Sequence, residues 1–96
     1  MNFELHPSAR QELADAVEYY RQISPRLGNS FVDEFESAVN RIISFPEAWP
    51  KLSKNTRRCR INHFPYGIIY AVERQNILII AIMHLQREPN YWVDRL

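Results

Sequence analysis

Glycine is scarce in this chain: only Gly28 and Gly67 occur in 96 residues. That excludes a glycine-rich loop cradling a phosphate, which needs several glycines within a few positions so that backbone N–H groups can approach the anion. A single cysteine, Cys59, excludes an internal disulfide, and neither it nor His6 and His63 have partners at the spacing of a closed metal site. Cys59 is therefore expected to be a small buried side chain in a protein of the reducing cytoplasm, with no metal and no cofactor. Long apolar runs are missing too. The longest, Ile77 to Met83, falls far short of the ~20 residues of a membrane span. The N-terminal Met-Asn-Phe-Glu-Leu-His has no basic segment followed by an apolar one, so a soluble protein without a secretion signal is expected.

What is present is the balance of a folded domain, 46% hydrophobic and 24% charged. The length allows one core, and residues 1–96 are read as a single domain. The net charge of +1 hides an asymmetry. Residues 1–50 carry four Arg against eight Asp or Glu (−4), and residues 51–96 carry eight Lys or Arg against three acids (+5). Lys51, Lys54, Arg57, Arg58 and Arg60 fall within ten positions that contain no acid. Such a cluster is either a solvated face or a surface for an anionic partner.

Periodicity gives the elements. Phe3 and Leu5 alternate with Asn2 and Glu4 as in a short strand, which stops at Pro7. Ser8 can cap a helix in which Ala9, Leu13, Ala16, Val17, Tyr20 and Ile23 recur at helical spacing, while Arg10, Glu12, Asp15 and Glu18 fall elsewhere. Ser24 followed by Pro25 repeats the start signal. Leu27, Phe31, Phe35, Ala38 and Ile42 mark a second helix ending near Phe45, because Pro46 disfavours helical geometry in the residue before it. So short a junction predicts an antiparallel helical hairpin. The stretch from Pro46 to Thr56 has no period and reads as a loop. Strands are expected from Arg58, over Gly67 to Val72, and over Ile77 to Met83, the last being apolar without alternation and so covered on both faces. Asn90 to Leu96 forms a short tail with one helical turn. The expected fold is α+β: a two-layer β-α-α-β-β-β arrangement in which an N-terminal strand and helical hairpin pack on an antiparallel sheet.

Three segments carry a resemblance: Phe64 to Tyr70 (FPYGIIY), Ile77 to His84 (ILIIAIMH) and Arg87 to Trp92 (REPNYW). Together they resemble the C-terminal signature of the RelE/ParE superfamily, toxins of type II toxin–antitoxin systems. The element order of that superfamily matches the one read above over essentially the whole chain. The likeness is greatest to the ParE-like branch, often described as plasmid stabilisation proteins. It implies a cytoplasmic toxin that arrests growth and is held inactive, as a hetero-oligomer, by a cognate antitoxin. ParE-like members inhibit DNA gyrase, a binding activity. RelE-like members are enzymes, ribosome-dependent endoribonucleases that cut mRNA through the 2′-hydroxyl without a metal. An inactive interaction domain of the same fold is a third reading. Antitoxin contact is expected to be apolar at the helices, with the basic second half taking carboxylates.

The nuclease reading has a stated chemistry. The 2′-hydroxyl must lose a proton, the phosphate's charge must be neutralised and the leaving oxygen must be protonated. If the strand of Arg58 and Arg60 paired with the strand ending at His84, then Arg58, Arg60, His84, Arg87 and Tyr91 would line one patch. Arg57, Arg58, Arg60 and Arg87 would hold the target or a phosphate, and Arg60, His84, Arg87 and Tyr91 would form the catalytic set, with His84 and Tyr91 exchanging protons. Each has a plainer role beside this one: a hydrogen-bonded histidine at a strand end, and a tail pinned by Tyr91 and Trp92. The mRNA-cutting branch is strongly basic, with further basic residues where Leu85 and Gln86 stand here. That departure favours the ParE-like reading.

Overall fold

A computed structural model describes residues 2–96. Strand β1 (Asn2–Leu5) leads into helix α1 (Pro7–Ile23), which begins one residue before the expected Ser8 cap. Proline is tolerated only in a helix's first turn, so Pro7 becomes the first helical residue and the cap moves back to His6. The His6 Nδ1 accepts the Ser8 N–H at 3.0 Å. Helix α2 (Pro25–Ser44) starts as expected, with Ser24 Oγ accepting the Leu27 N–H at 3.4 Å, and ends at Phe45, directly before Pro46. The helices approach closely at Gly28, where a Cβ would stand 3.0 Å from the Arg21 Cβ and 3.1 Å from its Cα.

Three strands follow, β2 (Arg57–Arg60), β3 (Tyr66–Glu73) and β4 (Asn76–His84), in one sheet of order β1-β4-β3-β2. The two-layer β-α-α-β-β-β architecture is the one read from the sequence. Its sheet is mixed: β2, β3 and β4 form an antiparallel meander, and β1 joins the other edge parallel to β4, with Phe3 opposite Ile77. Alternation of apolar residues reveals a strand's buried face but neither its neighbour nor its direction.

The helices cover one face of the sheet, where Phe31, Phe35 and Ile42 meet Ile68, Tyr70, Ile77, Ile79 and Ile82. The other face holds Ile69, Ile80, Ala81 and Met83, and Trp92 from the tail seals it at 2% exposure. Val93–Arg95 form the tail's single 3₁₀ turn. Burial on both faces accounts for the unbroken apolar run of β4. The register shifts once. Ile69 pairs with Ala81 and Tyr70 with Ile79, which leaves Ile80 as a bulge. Ile80 and Ala81 both face the tail, so every residue of β4 beyond them lies on the face opposite to the one plain alternation would give.

The loop from Pro46 to Thr56 is tied down at several points. The Tyr70 hydroxyl donates to the Pro46 carbonyl at 2.6 Å, and burial pushes its pKa up to about 12. The backbone of Lys51 pairs antiparallel with that of Arg57 in an isolated β-bridge, with the Arg58 N–H donating to the Pro50 carbonyl at 3.1 Å and the Leu52 N–H to the Thr56 carbonyl at 2.9 Å.

Candidate functional site

The basic cluster sits on edge strand β2 and the loop before it. Cys59, 1% exposed, points into the core, so Arg58 and Arg60 flank it on the face away from the helices. The Arg58 stem lies over Gly67, where a Cβ would be 3.1 Å from its Cγ and Cδ. Arg57 holds the loop, donating to the carbonyls of Glu47 at 3.0 Å and Trp49 at 2.8 Å. Among the described residues, none of Lys51, Lys54, Arg57, Arg58 and Arg60 lies within ion-pair distance of a carboxylate.

The five residues expected to line one patch do not converge. Strand β3 lies between β2 and β4, so Arg58 and Arg60 are a full strand away from His84. The bulge at Ile80 also turns His84 to the helix face. There its ring meets Tyr66 edge-on at 5.1 Å, its Nδ1 accepts the Gln86 N–H at 3.1 Å, and it borders a groove of about 410 Å³ with Tyr19, Tyr20, Ile23 and Pro65. Tyr19 and Ile23 are 61% and 60% exposed, which makes this an uncovered apolar surface.

Arg87 and Tyr91 are brought together, on the opposite side of β4. The Arg87 guanidinium stacks 3.7 Å from the Tyr91 ring centroid, with Arg95 at 5.0 Å. Both arginines converge on Glu12 of α1, a residue with no place in the sequence-based site. Arg95 donates to its two oxygens at 2.8 and 2.9 Å, Arg87 approaches at 3.4 Å, and the Ile82 N–H donates at 3.0 Å. Arg95 also donates to the Ile80 carbonyl at 3.0 Å. Glu12 and Arg95 are 83 positions apart, and each reads in sequence as an ordinary surface charge.

Burial alone would raise the Glu12 carboxyl, but the Arg95 guanidinium, the Ile82 N–H and Tyr91 outweigh it and hold the group below its ordinary 4.5. Tyr91 moves the other way. Burial and the facing Glu12 carboxylate push it up to about 12, against the partial opposition of Arg87 and Arg95. Its buried hydroxyl has no hydrogen-bond partner of good geometry; Glu12 is near enough to bias its proton without accepting a bond. Tyr91 thus keeps its proton at neutral pH, and it stands on the other side of β4 from His84. Arg87 and Arg95 are occupied in fastening the tail.

A second groove, of about 570 Å³, opens at the far end of the sheet, bordered by Lys51, Lys54, Arg57, Val72, Leu78 and Leu96. The described residues hold no group of three or more His, Cys, Asp or Glu able to hold a metal ion, and no helix long and apolar enough to cross a membrane.

The chain is thus a small two-layer α+β domain with unpaired cations on its edge strand, two open grooves, and His84 on the opposite face of the sheet from Tyr91. Residues 3–89 match the family model described as ParE toxin of type II toxin-antitoxin system, parDE, and the chain belongs to that family. It is 31% identical over 90 residues to Toxin ParE2 of Mycobacterium tuberculosis, in strains CDC 1551 and H37Rv alike, an alignment covering 90% of this chain and 83% of the relative. Among solved structures it superposes on a chain from the chromosomal ParDE TA system of P. aeruginosa with a TM-score of 0.69 at 16% identity, covering 90% of this chain and 97% of that one. That likeness bears on the fold. The chain is a ParE-like toxin of the type II class.

Proposed function

We propose that this toxin acts in the cytoplasm as a binding poison of DNA gyrase and that a cognate antitoxin holds it inactive in a hetero-oligomer. Family membership supports the antitoxin partner, and gyrase inhibition is the activity that the ParE-like branch implies. One observation carries the choice of binding over RNA cleavage. The groups that cleavage would need are divided between the two faces of the sheet: His84 lies in the aromatic groove on the helix face, while Arg58, Arg60, Arg87 and Tyr91 stand on the other face, with β3 between the strand of the first two and β4. Proton transfer requires donor and acceptor within hydrogen-bond reach of one reacting phosphate. Tyr91, raised to about 12, is also a poor base at neutral pH.

The experiment is a reconstituted translation reaction containing the purified toxin, with mRNA ends mapped by primer extension. Intact message from a protein that arrests growth is the expected result. Ribosome-dependent cleavage at codon spacing, abolished by Arg87→Ala, would replace the binding reading with an enzymatic one.

A further inference from the structure

The edge of the sheet formed by β2 carries positive charge that nothing else in the protein uses. Arg58 and Arg60 flank the buried Cys59, so both side chains leave one face of the strand, about 6.8 Å apart at the spacing of alternate strand residues. That separation is close to the one between successive phosphates of a nucleic-acid strand. Lys51, Lys54 and Arg57 continue the row along the preceding loop, and Arg41 joins it from the last turn of α2. None of these cations lies within ion-pair distance of a carboxylate among the described residues. Glu47 and Glu73 stand at the loop end, where they border the groove.

The backbone of this edge decides which anion it suits. The Arg58 N–H points outward to the Pro50 carbonyl and the Ile61 N–H inward to the Tyr66 carbonyl, so by alternation the Arg60 N–H points outward. The carbonyl of Arg60 is met by Arg41 Nη2 at 3.4 Å. At Arg60 the edge therefore donates without accepting, and at Arg58 the donor is already taken. An added peptide strand needs a donor and an acceptor together at alternate residues, and neither position offers both. A phosphodiester needs donors alone, from a guanidinium fork and from a backbone N–H.

We infer that this edge grips the phosphate backbone of duplex DNA, with Arg58 and Arg60 on successive phosphates of one strand and Lys51 and Lys54 on a third, so that the toxin seats on the DNA that gyrase holds. The inference rests on the gyrase reading above. The helical hairpin lies in the half of the chain that carries −4, so the same backbone repels it and fixes which side of the molecule faces the duplex. Contacts to phosphates, with none to base edges, make the binding indifferent to base sequence.

The probe is a short fluorescent DNA duplex titrated with the purified toxin while anisotropy is read over a range of salt concentrations. Three phosphate contacts predict that log K falls against log salt with a slope of roughly −2.7, about a 40-fold loss of affinity between about 50 and 200 mM. Arg60→Gln and the double change K51Q/K54Q, all at exposed positions, should each flatten the slope by about one and weaken binding alike on duplexes of different sequence. Arg26→Gln, exposed on the hairpin, should change neither. No binding at low salt, or a slope untouched by both edge variants, would overturn the inference. So would a single-stranded RNA or a glutamate-rich peptide of equal charge that displaces the duplex at lower concentration, which would make the edge a site for that class instead. The gyrase reading is scored separately, by supercoiling. Inhibited gyrase with an unchanged slope sinks this surface alone, and untouched gyrase sinks the reading, whatever the duplex does.

Discussion

Two strands of the sheet outlast a neighbour, and the protein treats their exposed edges in opposite ways. Strand β4 runs on past Ile79 after β1 has ended, and there the Glu12 carboxylate takes the Ile82 N–H while the Arg95 guanidinium covers the Ile80 carbonyl. The plug is an ion pair whose two side chains are 14% and 15% exposed, and it also fastens the C-terminal tail to α1. Strand β3 runs on past Tyr70 after β2 has ended, and there Val72 faces a groove where the register sets Asn55 of the chain's own loop opposite it. Unpaired edges invite strand addition. One exposed edge is closed by a side-chain ion pair, and the other borders a groove that the chain's own loop lines.

The difference can be broken most severely at the plug. Glu12→Ala leaves the largely enclosed Arg95 charge without its carboxylate and the Ile82 N–H unmet, a loss expected to cost about 3 kcal/mol. In a domain of this size that lowers the midpoint by roughly 10 °C or more, as thermal denaturation would show. A loss below about 1 kcal/mol would mean that the pair does not hold the edge. The same carboxylate links stability to pH. Its folded-state pKa is lowered, so its contribution is complete above the unfolded value near 4.5 and is lost as pH falls through the lower folded value. Denaturation midpoints measured down the acid range should drop for the wild type and lose part of that slope in Glu12→Gln.

The open edge can be loosened with smaller effect. Tyr70→Phe removes the hydroxyl that ties the Pro46 carbonyl, and with it the anchor of the loop walling the groove. A destabilisation of about 1–2 kcal/mol is expected in urea titration, together with faster amide exchange around Leu52 and Thr56. An unchanged loop would show that Arg57 alone anchors it. The smallest change sharpens the comparison instead. Arg74 opens the two-residue turn between Glu73 and Asn76 with φ of 58°, a conformation that favours glycine. Arg74→Gly should stabilise the protein by about 0.5–1 kcal/mol and leave the grooves as they are. A fall in the urea midpoint would show that Arg74 is held by contacts beyond the turn.

Local signals were legible in the sequence. Ser24 and Pro25 mark the helix junction, Pro46 marks the end of the second helix, and the apolar run from Ile77 marks the strand covered on both faces. The ParE-like resemblance was legible as well, through three segments near the C-terminus. The arrangement of the candidate site was not. A one-residue bulge at Ile80 decides which face His84 takes, and no residue type announces it. The strand order separates Arg58 and Arg60 from His84 although both strands read correctly. Glu12 and Arg95 meet only because β1 is too short to cover the end of β4, a fact of pairing lengths rather than of either residue.

A toxin that poisons gyrase by binding should stop the enzyme without any cleavage of RNA. A DNA supercoiling reaction with purified gyrase and the purified toxin tests it most directly. Loss of supercoiling by the wild-type toxin at concentrations near that of gyrase, relieved by its antitoxin, is the result expected. Undiminished supercoiling from a preparation that still arrests growth would contradict the account.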